Sequence, residues 1–511
     1  MQIAVKHSKP VGPNPVAEIH DAELLQNLFL SPVARIPPEI LVYVFQLYVD
    51  ARDEFTPVTV SPQGPRCLVQ VCQLWRAITD SDPRLWTSVH FYFPETHESH
   101  EEDVRRVQPV FDLHLERSGT LPISLTFIDH RIYSRSTIEL VGLLVNRLRA
   151  HSYRWRHISL HLSRVYFPLL SIFTLCGLLS LRHLHLSGDV QERFIYPPLN
   201  LESATNLKSL AYGGSSRSLD GTIHAHWEGL AEVSFDFVLG NPMGIPFFQQ
   251  FTHLAQCRNI TTCSLGINQT LLNGDQAITL LHLQTLRVRR LSGLSDATFL
   301  DALILPQLQT LEIDSASLIG SGLPWHHRNF SNLLARSGCT LRHLSIQDVE
   351  FPSDEVVRCL VASHALTSLR FIPYPRSQDI TNVIHALDVS RGAPDQTLIQ
   401  GHEQIIIGNG PLLAELREVM LATSQEGCLD LIMAMLRSRA EKVVALRRVE
   451  VEYFYLPHRQ GDQLERVAAF RRELAQWVSE IEAKNGSGDW ERLEASVVID
   501  SPYFVEYINV E

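Results

Sequence analysis

Residues 283–288 read LQTLRV and residues 308–313 read LQTLEI, and the fold turns on what that phrase means. The pattern is apolar-x-x-apolar-x-apolar. In an extended chain its last two apolar residues, Leu286 and Val288 in the first copy, fall on one side and Arg287 falls on the other. The phrase recurs as WRHISL from 155, LRHLHL from 181, LKSLAY from 207, LAEVSF from 230, ITTCSL from 260, LRHLSI from 341 and LTSLRF from 366. These nine copies begin 23 to 33 residues apart. Single matches arise by chance in any leucine-rich chain, but nine in near-register succession do not.

The spacing clusters in or near the leucine-rich-repeat range of roughly 20 to 29 residues, so each phrase is expected to form one short parallel strand of an α/β solenoid. Stretches such as FPLLSIFTLCGLLS between phrases are expected to supply outer helices. The Asn or Cys usual just after such a phrase is missing, and position 189, for instance, is Asp. Further along, LREVML from 416 and LRRVEV from 446 fit, while EQIIIG from 403 fits only partly, which leaves the registration between 372 and 445 open. One earlier unit is expected at LPISLTF. Near the end, Leu464, Val467, Phe470, Leu474, Trp477 and Ile481 make an amphipathic helix, expected to cap the open end of the solenoid.

Residues between the apolar positions line the concave sheet, where a partner can be read. Neighbouring strands lie about 4.8 Å apart, so Arg287 is expected beside Glu312 and Arg289 beside Asp314. With Arg370 these are the candidate substrate contacts. The plainer reading is cross-strand ion pairs on a solvated face, worth about 0 to 1 kcal/mol each. His157, His161, His183 and His185 are read as a polar ladder, because no carboxylate or cysteine stands at ligand spacing with them. No metal and no cofactor is expected.

Composition narrows the function. The chain has 511 residues, is 45% hydrophobic and carries a net charge of -12, which argues against a surface built to neutralise the phosphates of a nucleic acid, and no Lys/Arg-rich run offers a local exception. Nucleic acid is not expected as a partner. Neither a signal-peptide core nor a window of about 18 to 20 apolar residues is present, so no membrane is expected and the cytosol or nucleus is the expected location. Eight cysteines without a C-x-x-C pair fit reduced, packed thiols. HESHEE, with His97 and His100, falls one residue short of H-E-x-x-H, GGSS from 213 lacks the second flank of a nucleophile elbow, and no phosphate-binding glycine motif succeeds a strand. The chain is not expected to be an enzyme.

A different pattern precedes the repeats. IPPEILVYVFQLYVD, residues 36–50, opens with two prolines suited to a helix start, and Ile40, Leu41, Val44, Phe45 and Tyr48 recur at helical spacing. Val42, Tyr43, Leu47 and Val49 fill much of the remaining circumference, so more than one face of the helix wants to leave water. After a proline-containing loop, Leu68, Val71, Cys72, Trp75 and Ile78 form a second stripe that Asp82-Pro83 closes.

The ordered set Pro37, Pro38, Glu39, Ile40, Leu41, Phe45, Val71, Cys72, Trp75, Arg76, Pro83, Leu85 and Trp86 resembles an F-box of the F-box-like type common in fungi. Ile36 replaces the usual Leu, and Gln73 stands where a basic residue is usual. FDLHLERSGTLPISLTF and HSYRWRHISL resemble the segments immediately C-terminal to the F-box in that family. The resemblance implies a small helical bundle that docks on a Skp-type adaptor of a cullin-RING ubiquitin ligase. It implies adaptor contact by Pro37, Pro38, Ile40, Leu41, Val44, Leu68, Val71, Leu85 and Trp86, with Phe45, Cys72 and Trp75 internal.

The expected organisation is a weakly ordered segment at 1–30, an F-box-like domain at 31–93, an acidic linker at 94–104, a leucine-rich-repeat-like solenoid at 105–460, and a cap helix with tail at 461–511. The expected function is a substrate receptor that holds the adaptor through the F-box and an unknown protein substrate through the repeats. The alternative is a ligase-independent scaffold or sensor whose helices merely cap the solenoid.

Overall fold

The computed structural model describes residues 32–50, 64–93, 100–129, 142, 146–147, 149–163, 173, 177–189, 199–213, 223–235, 247–267, 277–290, 297–314, 327–349, 352–373, 379–391, 412–442, 446–454, 460–485, 494–501 and 504–509. The N-terminal segment 1–30, His97 and the phrase EQIIIG lie outside them. The chain forms two compact units, Met1–His157 and Ile158–Glu511, rather than dividing at the expected linker near residue 100.

In the first unit, helix α1 spans Pro38–Asp50, α2 Pro65–Val71 and α3 Gln73–Ser81. Local chemistry sets the boundaries. Gly64 adopts φ 64° before Pro65, a left-handed turn open to glycine, and the proline's preset φ starts α2. Cys72 is extended and its Sγ accepts the Trp75 amide, which separates α2 from α3. Asp82 ends α3, and its carboxylate accepts the Arg84 amide at 2.9 Å to begin the short turn Pro83–Trp86. The arginine holds this carboxyl below its ordinary range, mainly through the side-chain hydrogen bond.

Strand β1 (Ser88–Phe93), helix α4 (His100–Arg117) and strand β2 (Ile123–Asp129) come next, and the strands pair in parallel from Ser88↔Ser124 to Phe93↔Asp129. This corrects the linker expectation: its acidic residues from His100 onward are helical, because they open the crossover between two parallel strands. The bundle's core gathers Leu41, Phe45, Val49, Leu68, Ile78, Leu85 and Trp86. Leu113 of α4 packs against it.

The second unit is a long parallel sheet, beginning with β3 (Trp155–Ser163), within which the unit boundary falls, and β4 (His183–Asp189). Next come β5 (Ser209–Gly213), β6 (Glu232–Phe235) and β7 (Thr262–Ile267). A two-residue pair, β8 (Ile278–Thr279) with β10 (Leu303–Ile304), stands apart from the main sheet. The main sheet continues through β9 (Thr285–Arg290), β11 (Thr310–Asp314), β12 (His343–Val349), β13 (Ser368–Pro373), β14 (Glu418–Thr423) and β15 (Arg448–Phe454). It ends with β16 (Glu494–Ser501) and the antiparallel β17 (Phe504–Asn509).

Each phrase thus becomes a strand, in chain order. Among the described residues between β13 and β15 the sheet gains one strand, β14, which pairs directly with β13. The apolar positions are buried: Leu286, Val288, Leu311, Ile313, Leu344 and Ile346 all lie in the core.

One hydrogen-bond motif repeats throughout. The backbone carbonyl at the phrase's second position accepts two amides, from the second and third positions of the next phrase. Arg182, Lys208, Ala231, Thr261, Gln284, Gln309, Arg342, Thr367 and Arg417 all do so, at 2.7 to 3.1 Å. Two strand starts add an amide rung that the phrase does not announce: Asn206 donates to the Leu179 carbonyl and Asn259 to that of Glu228, both at 2.8 Å.

Helices connect the later strands. They are α5 (Phe247–Leu254), α6 (His327–Ser337), α7 (Ser353–Ala362), α8 (Thr381–Leu387), α9 (Glu426–Lys442) and α10 (Gln460–Asn485). Neighbouring connections are stitched together: Asn329 of α6 donates to Asp301 in the 3-10 turn Ala297–Ala302 at 2.6 Å, the His327 amide to Glu355 of α7 at 2.7 Å, and Asn382 of α8 to Asp354 of α7 at 2.8 Å. The expected C-terminal cap helix is α10, but it links β15 to β16 and does not stand at the end. Its apolar stripe, Val467, Phe470, Leu474 and Trp477, is buried as a crossover helix's should be. The strand pair β16 and β17 comes after it instead.

Candidate functional site

Helix α1 divides its apolar residues between two surfaces. Leu41, Phe45 and Val49 point into the bundle core, where Phe45 meets Trp75 with ring centroids 4.7 Å apart. Val42 is half-buried against that core, and five others face water: Ile40 is 52% exposed, Tyr43 63%, Val44 47%, Leu47 50% and Tyr48 46%. Val71 on α2 is 58% exposed. Monomeric proteins seldom leave so much contiguous apolar surface uncovered, and such patches mark interaction sites.

Several expectations need correction. Leu41, Leu68, Leu85 and Trp86 are expected on the docking face, but each is at most 5% exposed, because together they form the core of this small unit. Cys72 is expected inside but is exposed, since its sulfur serves as the cap of α3. Pro37, Pro38, Ile40, Val44 and Val71 are exposed, Phe45 is buried and Trp75 is half-buried. Tyr43, Leu47 and Tyr48 join the exposed face, and the expected contact set omits them. Their crowding around the helix is the signal that marks them.

Trp86 is gripped from several sides. Its Nε1–H donates to the Thr79 carbonyl at 2.8 Å, and His114 of α4 stands edge-on to its ring at 5.1 Å. The Arg117 guanidinium lies over the same ring and pairs with Asp80.

The second candidate surface is the sheet face opposite the helices. Arg287 faces Glu312 in the parallel register, and its Nε donates to Glu312 Oε2 at 2.9 Å. Arg289 stands opposite Asp314. Arg370 stands opposite Ser345 on one side and Met420 on the other. The histidines form cross-strand contacts with serines: His185 with Ser159 at 3.4 Å and His161 with Ser187 at 2.9 Å. Among the described residues no group of three His, Cys, Asp or Glu side chains is placed to hold a metal ion. No helix among them is long and apolar enough to cross a membrane.

Residues 33–92 match the family model described as F-box-like. The match covers the three helices and β1, and it includes every exposed apolar residue of α1 named above. No curated protein matches the chain.

Proposed function

We propose that this protein is the substrate receptor of a Skp-Cullin-F-box ubiquitin ligase. The observation that carries the reading is the uncovered apolar face of α1, inside an F-box-like segment whose other face is already packed. F-box domains generally bind Skp-type adaptors, and an adaptor would cover Ile40, Tyr43, Val44, Leu47 and Val71. The second unit is read as a leucine-rich-repeat solenoid. The single repeated carbonyl motif and the sequential strand order support that reading. Its open sheet face would hold a target protein.

On this reading the receptor performs no bond chemistry. It raises the effective concentration of a target lysine beside the charged conjugating enzyme, and geometry supplies the acceleration. The cytosol or nucleus is the matching location.

Co-purification with a Skp-type adaptor tests the proposal. The full chain should capture the adaptor, and a chain in which Ile40 and Leu47 are both changed to Ser should not. Capture that survives both substitutions removes α1 as the docking helix. Failure of the full chain to capture any adaptor leaves the repeat unit as a ligase-independent scaffold.

A further inference from the structure

We infer that Arg370 is the anchor for an anionic group of the protein segment that docks on the open sheet face. This rests on the receptor reading above and names the chemistry that its recognition surface selects.

One file of side chains crosses the later strands through successive register partners: Arg287, Glu312, Ser345, Arg370, Met420 and Glu450. Its two carboxylates already have arginines. Glu312 accepts from Arg287 at 2.9 Å, and Glu450 lies 3.6 Å from Arg448. Arg370 has none among the described residues. Its cross-strand neighbours are a serine and a methionine, its same-face neighbours along β13 are Ser368 and Ile372, and it is exposed. Ser345 is engaged by Gln347, whose Nε2 donates to its Oγ at 2.9 Å.

The position of Arg370 in the file matters as well. Toward the ends of β13, β14 and β15 the same sheet face is closed: Ile372, Met420, Ala422 and Phe454 form a buried apolar cluster, none more than 8% exposed. Before it the face is open, with Arg287 46% and Glu312 36% exposed. Arg370 therefore stands at the edge of this apolar cluster, a guanidinium with no ion-pair partner among the described residues. A chain segment crossing the open strands reaches this cation where the apolar cluster begins. Low local polarity on one side strengthens its attraction for a carboxylate or a phosphate, and a guanidinium offers either one a two-pronged hydrogen bond. The remaining cations of the central ladder face carboxylates of their own, so Arg370 carries the selectivity.

The test uses the full chain bound to its adaptor and three fluorescein-labelled decapeptide mixtures. Each is randomised except for a central Glu-Leu, phosphoserine-Leu or Gln-Leu, and binding is read by fluorescence polarisation. We expect one or both anionic mixtures to bind about tenfold more tightly than the Gln mixture. The comparison between them identifies carboxylate or phosphate as the natural group. Arg370→Gln should abolish the preference, Arg370→Lys should restore part of it, and Arg287→Gln should change it less than twofold.

An undiminished preference in Arg370→Gln overturns the assignment, as does its loss in Arg287→Gln instead. Equal or absent binding of all three mixtures to the unmodified chain also overturns it. Adaptor capture, measured on the same sample, reports separately on the receptor reading.

Discussion

Arg117 on α4 places its guanidinium 4.5 Å from the centroid of the Trp86 ring, over the core of the helical bundle. The same side chain is paired with Asp80 of α3. The α4 helix is therefore part of the bundle's architecture, although it lies beyond residue 92, where the family match ends. Replacing Arg117 with Ala removes a cation–π contact and a partly exposed ion pair, so a loss of about 1 to 2 kcal/mol is expected. Chemical denaturation monitored by Trp fluorescence measures it. Arg117→Lys should recover only part, because an ammonium neither stacks on the indole nor forks to the carboxylate.

The two faces of α1 should separate stability from binding. Phe45→Ala empties a fully buried position and should cost about 3 to 5 kcal/mol in thermal unfolding. Tyr43→Ser lies on the exposed side and should leave stability within about 0.5 kcal/mol while weakening adaptor capture. A Leu41→Asp substitution would not probe the docking face, since it puts a charge in the core.

Glu355 makes the outer layer sensitive to acid. Burial alone would push its carboxyl up, but the His327 amide and ring, with Arg358, together hold it below its ordinary value. A depressed carboxyl stabilises the fold at pH values above its unfolded pKa, and that contribution disappears as pH falls through the lower, folded value. Glu355→Gln should therefore cost about 1 to 2 kcal/mol near neutrality and almost nothing in strong acid. Urea titrations at several pH values below 5 measure the difference.

Arg439 is fully buried in α9 and donates to the carbonyls of Leu387, Leu412 and Leu413. Burial lowers its pKa to about 10, so it remains a cation at neutral pH. Leu413, whose carbonyl it holds, stands at φ 54°, a left-handed conformation that leucine adopts only at a cost of about 1 to 3 kcal/mol. Arg439→Ala takes a donor from three buried carbonyls, of which that of Leu413 keeps the Leu416 amide, and should destabilise the unit by about 3 to 5 kcal/mol. Hydrogen exchange should accelerate first at the end of α8 and the start of β14.

The Arg287 and Glu312 pair should matter much less. Both side chains are more than a third exposed, so a double-mutant cycle is expected to give a coupling below about 1 kcal/mol that shrinks as salt is added.

The strands are legible in the sequence because a six-residue phrase with buried second and third apolar positions has one sensible pairing, and Arg287 beside Glu312 comes directly from it. The two-faced character of α1 is legible from Val42, Tyr43, Leu47 and Val49. Which face the chain covers itself is not, because periodicity marks apolar positions without saying what packs on them. Leu85 and Trp86 are misplaced by the resemblance, which does not show what packs on them in this chain: their cover comes partly from α4, whose acidic start reads as a loop. The strands β16 and β17 are hidden because their pattern departs from the phrase.

The carbonyl that accepts two amides at nine successive strand starts has an evolutionary meaning. It works as a ruler mark: the number of residues between one mark and the next ranges from 23 to 50 among the nine, yet both amides always arrive one and two residues after the same leading apolar side chain. Insertions and deletions should therefore accumulate between marks and be purged within the phrase. A lineage can lengthen, shorten or recast the outer connections while the spacing of the reading surface stays fixed.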